Sequence, residues 1–93
     1  MYLEIVTPEA ILFSSDITSV SVPGMDGEFQ LLDNHAPIVS TLKDGEIRIE
    51  SKNASLDEAH KDKFTQTKDG KLSYTINSGT LELNNNKVII LAD

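Results

Sequence analysis

The sequence predicts an all-β fold, a two-sheet β-sandwich or flattened barrel of about eight to ten short strands. Three observations predict it. Apolar and polar residues alternate in short runs, which turns one face of each run inward. The five glycines, Gly24, Gly27, Gly45, Gly70 and Gly79, fall where turns are expected. Three of them follow aspartate, as Asp26-Gly27, Asp44-Gly45 and Asp69-Gly70, and Asp-Gly supplies the positive φ angles of tight hairpins. At 93 residues the chain holds one domain, 1–93, able to bury a little over ~60% of its unfolded surface in one modest core.

Each element rests on its own pattern. Leu3 and Ile5 share a face, as do Val20 and Val22. Ile47 and Ile49 form the next inward pair, leaving Glu46, Arg48 and Glu50 on an outer face. Leu72, Tyr74 and Ile76 alternate, then Leu81 and Leu83. Asn84-Asn85-Asn86 reads as a turn, since asparagine tolerates the left-handed region. The apolar run Val88-Ile89-Ile90-Leu91 is either a central strand or one covered on both faces. Residues 51–71 break the pattern with nine charged side chains: Lys52, Asp57, Glu58, Lys61, Asp62, Lys63, Lys68, Asp69 and Lys71. Ser55-Leu56-Asp57-Glu58 has the form of a capping box, with Leu56 and Ala59 as a weak apolar face. The segment reads as a short helical turn or loop and then a strand near 63–67. The alternative is a hairpin extension, with Phe64-Thr65-Gln66-Thr67 pairing back across Asp69-Gly70.

Composition excludes several function classes. Apolar residues are 39% and charged residues 25% of the chain, with a net charge of -7. That acidity opposes binding to phosphate backbones, so no nucleic-acid partner is expected. Anionic membrane surfaces are equally poor targets, whereas a partner with basic loops suits it. There is no cysteine, hence no disulfide framework and no thiolate chemistry. No apolar run approaches the ~20 residues that span a bilayer, and the N-terminus lacks the basic and apolar regions of a signal peptide.

Candidate chemistry is sparse. His35 sits in Asn34-His35-Ala36-Pro37, where Pro37 biases Ala36 toward an extended conformation. A catalytic histidine needs a nucleophile and an orienting acid. Ser40 and Asp33 are near in sequence, but no nucleophile elbow is present, and a structural corner or partner contact is the better reading. His60 lies in the charged segment and is read as solvated. With the two histidines twenty-five positions apart and no cysteine, a zinc site is not expected. Asp26 and Glu28 flank Gly27 on a turn that points them to water. There is no phosphate-cradling glycine loop and no EF-hand spacing, so no cofactor and no metal is expected. Asn53-Ala54-Ser55 matches a glycosylation sequon and is read as chance.

Residues 22–37, Val-Pro-Gly-Met-Asp-Gly-Glu-Phe-Gln-Leu-Leu-Asp-Asn-His-Ala-Pro, join a tight turn, a short strand and a rigid corner at fixed spacing. Together with Leu3-Glu4-Ile5-Val6-Thr7-Pro8-Glu9, Gly45-Glu46-Ile47-Arg48-Ile49 and Ser78-Gly79-Thr80-Leu81-Glu82-Leu83, they resemble the epsilon subunit of F-type ATP synthases (delta in mitochondria). Leu12-Phe13-Ser14 is similar to the corner after that family's first strand, residues 17–22 to its second long strand, and residues 88–93 to the end of its closing hairpin. The resemblance covers nearly the whole chain except 51–71.

The resemblance implies a non-catalytic rotor subunit of the central stalk, one copy per complex. It implies contact with the gamma subunit and the c-ring, and a peripheral position on the cytoplasmic side of a bacterial cell membrane. It implies c-ring contact through Asp26, Gly27 and Glu28, and gamma contact through Thr7, His35 and Ser40. Most such subunits continue into two inhibitory α-helices. With the sequence stopping at Asp93, the expectation is a short form that neither binds ATP nor inhibits through helices. Asp57-Glu58-Ala59-His60-Lys61 lacks the arginine of the family's ATP motif and is read as an accidental likeness. The charged segment is read as surface decoration rather than a source of contacts. The alternatives are a stand-alone β-sandwich module binding peptide or carbohydrate and a small β-fold enzyme. The first wants exposed aromatic platforms, whereas Tyr2, Phe13, Phe29, Phe64 and Tyr74 mostly sit on apolar faces. The second wants an acid-base or nucleophile constellation, which is lacking.

Overall fold

A computed structural model describes residues 1–52 and 59–93. Among the described residues ten strands follow in order: β1 (Tyr2–Val6), β2 (Ile11–Asp16), β3 (Ser19–Gly24), β4 (Gly27–Leu32), β5 (Ile38–Leu42), β6 (Gly45–Glu50), β7 (Thr65–Gln66), β8 (Leu72–Ile76), β9 (Gly79–Asn84) and β10 (Lys87–Ala92). They form one curled sheet in the order β2-β1-β10-β9-β5-β3-β6-β8-β7, with β4 on the other edge of β3. The sheet folds over on itself into the expected flattened barrel. One layer is β2-β1-β10-β9-β5 and the other is β4-β3-β6-β8-β7. At the fold, β5 meets β3 through the single pair Gly24 and Leu42. The pairing is antiparallel except between β1 and β10, which run parallel.

The alternation seen in the sequence is what faces the core. Leu3, Ile5, Leu81, Leu83, Val88 and Ile90 point inward from one layer, and Val20, Val22, Leu31, Ile47, Ile49 and Ile76 from the other. Glu46, Arg48 and Glu50 lie outside as expected. The run 88–91 belongs to a central strand between β1 and β9. It is not covered on both faces, because Leu91 is exposed and Ile89 half-buried.

Turn chemistry decides the connections. Asn85 and Asn86 both have positive φ, 52° and 61°, which suits a two-residue hairpin loop matched to strand twist. Asp69-Gly70 closes the β7–β8 hairpin, where the Thr67 N–H donates to the Lys71 carbonyl at 2.7 Å. Asp44-Gly45 does not close a hairpin. The strands on either side of it, β5 and β6, both pair with β3 and not with each other. The segment Leu12-Phe13-Ser14 is likewise not a corner. It lies in β2, antiparallel to β1, and the corner is the preceding turn, where Ala10 N–H donates to the Thr7 carbonyl.

The charged segment does more than decorate. A 3-10 turn at Lys61–Lys63 leads into Phe64, which is buried, and then into β7, which pairs with β8. Both the helical-turn-then-strand reading and the pairing across Asp69-Gly70 are therefore realised. Phe64 stands 5.9 Å from Phe13 of β2 and 5.3 Å from Tyr74 of β8, centroid to centroid. The aromatic trio thus bridges the sheet's two free ends. Nor is His60 fully solvated. It is half-buried, and its Nδ1 is shielded without a hydrogen-bond partner among the described residues. The proposed capping box at Ser55 and Glu58 and the sequon at Asn53 lie outside the described residues.

Candidate functional site

The β3–β4 hairpin carries Asp26, Gly27 and Glu28 at its tip. Val20 and Val22 anchor β3 in the core, while Met25 and Asp26 form an exposed two-residue loop. Gly27 takes φ 125° on leaving it. Glu28 is exposed, opposite Pro23. Its Oε1 lies 3.4 Å from Arg48 Nη1, and Arg48 Nε lies 3.8 Å from Glu46 Oε1. Ser73 Oγ donates to the same Glu46 oxygen at 3.0 Å. Two carboxylates, those of Glu28 and Glu46, therefore share the guanidinium of Arg48, and Asp26 adds a further exposed acid at the hairpin tip. Solvent screening makes such exposed pairs worth little for stability, but the excess negative charge is available to an approaching cation.

Ser40 joins this hairpin in space. An open cleft of about 530 Å³ is lined by residues 24–29 on one side and Val39, Ser40 and Thr41 of β5 on the other. The resemblance assigns Ser40 to the gamma side and Asp26 and Glu28 to the c-ring, yet the fold places them around one cleft. They meet because β5 crosses to β3 next to the hairpin. Met25 and Val39, respectively 60% and 76% exposed, give the cleft an apolar rim that no sequence pattern had singled out.

Thr7 and His35 lie elsewhere. Thr7 follows β1 at the end where Val6 faces Leu91, and its hydroxyl donates to the Ala10 carbonyl at 3.2 Å. His35 lies past β4, near the opposite end of β10, because the Asn34 N–H donates to Asn86 Oδ1 at 2.8 Å. Roughly 13 Å of strand separates those two ends. His35 is exposed, and its Nδ1–H donates to the Ala36 carbonyl at 2.6 Å. Ser40 Oγ donates to the Thr41 carbonyl at 3.2 Å. The hydroxyl and the imidazole are thus committed to neighbouring backbone rather than to each other, and the arrangement has no nucleophile–base pair.

The corner holding His35 is tied down by a polar knot that the sequence did not reveal. Asp33 Oδ1 accepts from Asn86 Nδ2 at 2.8 Å and pairs with the chain's amino group at 2.9 Å. These contacts, the Asn86 hydrogen bond first and the ammonium next, hold the Asp33 carboxyl below its ordinary value of 3.8. A depressed carboxyl favours the ionised folded state. Its contribution is present above the ordinary value and is lost as pH falls through the folded one. Replacing Asn86 with glycine keeps the positive φ and removes the hydrogen bond. Asp33 in Asn86→Gly is expected to titrate at higher pH than in the parent when followed by carboxyl NMR. Identical midpoints would show that Asn86 does not set it.

Among the described residues, no three His, Asp or Glu side chains converge in a way that could hold a metal ion. The site's resources are acidic charge, exposed backbone and a small apolar rim, which suit a contact rather than a reaction.

Comparison with known proteins agrees with this fold. The profile of the ATP synthase delta/epsilon chain β-sandwich domain matches residues 1–93. The ATP synthase epsilon chain of Campylobacter curvus is 42% identical over 93 residues, covering all of this chain and 60% of that one. That of Chlorobium limicola is 36% identical over 91 residues, covering 98% of this chain and 86% of that one. The chain thus spans only part of the length of its relatives. Two solved assemblies share its fold. A chain of the Tetrahymena thermophila mitochondrial ATP synthase central stalk and c-ring superposes with a TM-score of 0.73 at 10% identity, covering 99% of this chain and 62% of that one. A chain of the Euglena gracilis mitochondrial ATP synthase superposes with a TM-score of 0.72 at 20% identity, covering 97% and 48%. With the profile matched from the first residue to the last, and relatives above one-third identity over the whole length, the chain belongs to the family of the ATP synthase delta/epsilon chain β-sandwich domain.

Proposed function

We propose that this chain is a non-catalytic rotor subunit of the central stalk of an F-type ATP synthase, linking the gamma subunit to the c-ring. It does no bond-making of its own. It is carried as a single copy, peripheral to a bacterial cell membrane on the cytoplasmic side. The observation that carries the reading is the full-length match to the epsilon-chain domain, with an acidic hairpin at the position the resemblance assigns to the c-ring. Asp26, Gly27 and Glu28 meet basic side chains of the ring loops. Rim charges of this kind govern encounter rate and orientation more than affinity. His35 and Ser40 contact gamma directly. Thr7 contributes shape, since its hydroxyl is already engaged with Ala10. The stand-alone module reading has no support in the exposed surface: Phe13 and Phe64 are buried and the other three aromatic rings half-buried.

The test is co-purification of the chain with its cognate gamma subunit. A one-to-one complex is expected, weakened about fivefold or more by His35→Ala, a loss of roughly 1 kcal/mol, and retained by Glu28→Lys. In the assembled ring complex, Glu28→Lys is expected to slow capture about tenfold at low salt and much less at high salt. Absence of any complex with gamma across a salt series would overturn the assignment.

A further inference from the structure

We infer that the free edge of β4 is a strand-pairing site, where an extended segment of the gamma-type stalk partner adds a strand beside Glu28 and Gln30. This inference rests on the stalk reading above and goes beyond it by naming the mode of contact. The orientation of β4 follows from Pro23. Its carbonyl accepts the Lys43 N–H at 2.9 Å, on the side of β3 away from β4. Proline has no N–H, so Pro23 and Glu28, which face each other, are a pair that exchanges no hydrogen bonds. Pairs along an antiparallel ladder alternate. Val22 and Phe29 therefore exchange bonds, as do Val20 and Leu31. Glu28 and Gln30 then aim both N–H and C=O away from β3, as Leu32 aims its N–H. The Leu32 carbonyl is taken by the His35 N–H at 3.2 Å, which fits that outward direction.

Among the described residues β4 pairs with β3 alone. An unpaired edge of this length is a ready template, and proteins that do not use one usually blunt it. Here it carries no lysine, no proline and no bulge among the pairs of β4 with β3. Three of the chain's exposed large apolar side chains, Met25, Leu32 and Val39, surround it. The cleft that opens beside its first residues is lined by Glu28, Phe29, Val39 and Ser40. The edge runs from that cleft to the His35 corner, so it joins two of the proposed gamma contacts, Ser40 and His35. In strand addition the main-chain bonds give affinity and alternate side chains give register. The added segment should place an apolar side chain against Met25 and Val39.

Amide hydrogen exchange, read by NMR on the chain alone and in its complex with the cognate gamma subunit, tests this. The Glu28 and Gln30 amides should exchange freely in the isolated chain and slow at least tenfold in the complex. Gln30→Pro, which removes an outward N–H along with the Gln30 Nε2 contact to Ser19 Oγ at 3.4 Å, should weaken the complex about tenfold while keeping the melting temperature close to that of Gln30→Ala. Gln30→Ala should stay within twofold. If the complex forms but the Glu28 and Gln30 amides exchange at their free rates, strand pairing is overturned and the stalk reading stands. Concentration-dependent protection in the chain alone would assign the edge to a second copy and overturn the proposal. Protection arising only on addition of the c-ring would do the same. No complex at all would remove both readings together.

Discussion

Phe64→Ala is expected to lower the stability of the domain by about 3 kcal/mol, the usual cost of emptying a buried phenylalanine site. In a domain of this size that corresponds to a melting temperature lower by about 15 °C. Phe64 is only 9% exposed, although its neighbours in sequence are charged and solvated. It is the plug between the two ends of the curled sheet, with Phe13 on one flank and Tyr74 on the other. Tilted ring pairs at this spacing add about 0.5 to 1.5 kcal/mol each beyond the area they bury. Without the ring, β2 and β8 lose their common partner, and β7, only two residues long, loses the anchor beside it. Phe64→Leu should recover most of the loss, since it fills volume without restoring ring geometry. Thermal unfolding of the two variants beside Lys63→Ala makes the comparison. A Phe64→Ala melt within 3 °C of the parent would mean that the segment is decoration after all.

The aromatic seam shows where the sequence was readable and where it was not. Alternation exposes a strand when one face is buried and the other wet, so Leu3 with Ile5, Ile47 with Ile49 and Leu81 with Leu83 were all legible. β2 was not read as a strand from alternation, because Leu12 and Phe13 are consecutive and both buried. The pairing with β1 shifts register between Ile5 and Val6, which accommodates this. Phe64 was unreadable as core because its burial depends on Phe13 and Tyr74, which are distant in sequence. Local composition reports only the solvated side of such a segment. The Asp-Gly rule succeeded at Gly27 and Gly70, where the flanking strands pair with each other. It misled at Gly45, where the chain leaves one layer of the barrel for the other.

The candidate site was legible to a similar degree. The acidic tip at Asp26, Gly27 and Glu28 could be read from turn chemistry, because a hairpin tip is wet wherever the hairpin lies. The neighbours of that tip could not. Ser40 and Val39 reach the hairpin through the crossover of β5 onto β3, and Arg48 reaches Glu28 from β6. Strand order across a barrel is a long-range property that period-two patterns do not encode. The knot of Asp33, Asn34 and Asn86 depends on the same topology, since it ties the β4–β5 corner to the β9–β10 turn.

Gly45→Ala carries the second large effect, and it links that topology to the site. Gly45 has φ 155°, and a Cβ built there would stand 2.7 Å from Cβ of Pro23. Pro23 has little freedom to retreat. Its ring fixes φ, and its carbonyl is held by the Lys43 N–H. The crowding is therefore relieved only by shifting β6 or the base of the hairpin that bears Asp26 and Glu28. Overpacking against a rigid neighbour and a rarely adopted backbone each cost about 1 to 3 kcal/mol, so a loss of about 3 kcal/mol is expected. Gly27→Ala separates the two causes. Gly27 also has a positive φ, 125°, but a Cβ there meets nothing within 4 Å. It should cost only the backbone share, about 1 to 2 kcal/mol. Chemical denaturation of both variants decides the matter. A Gly45→Ala loss equal to that of Gly27→Ala would leave Pro23 without a role as a wedge. A clearly larger loss, accompanied by shifted amide resonances at Asp26 and Glu28, would establish that the crossover between the two layers sets the pose of the acidic hairpin.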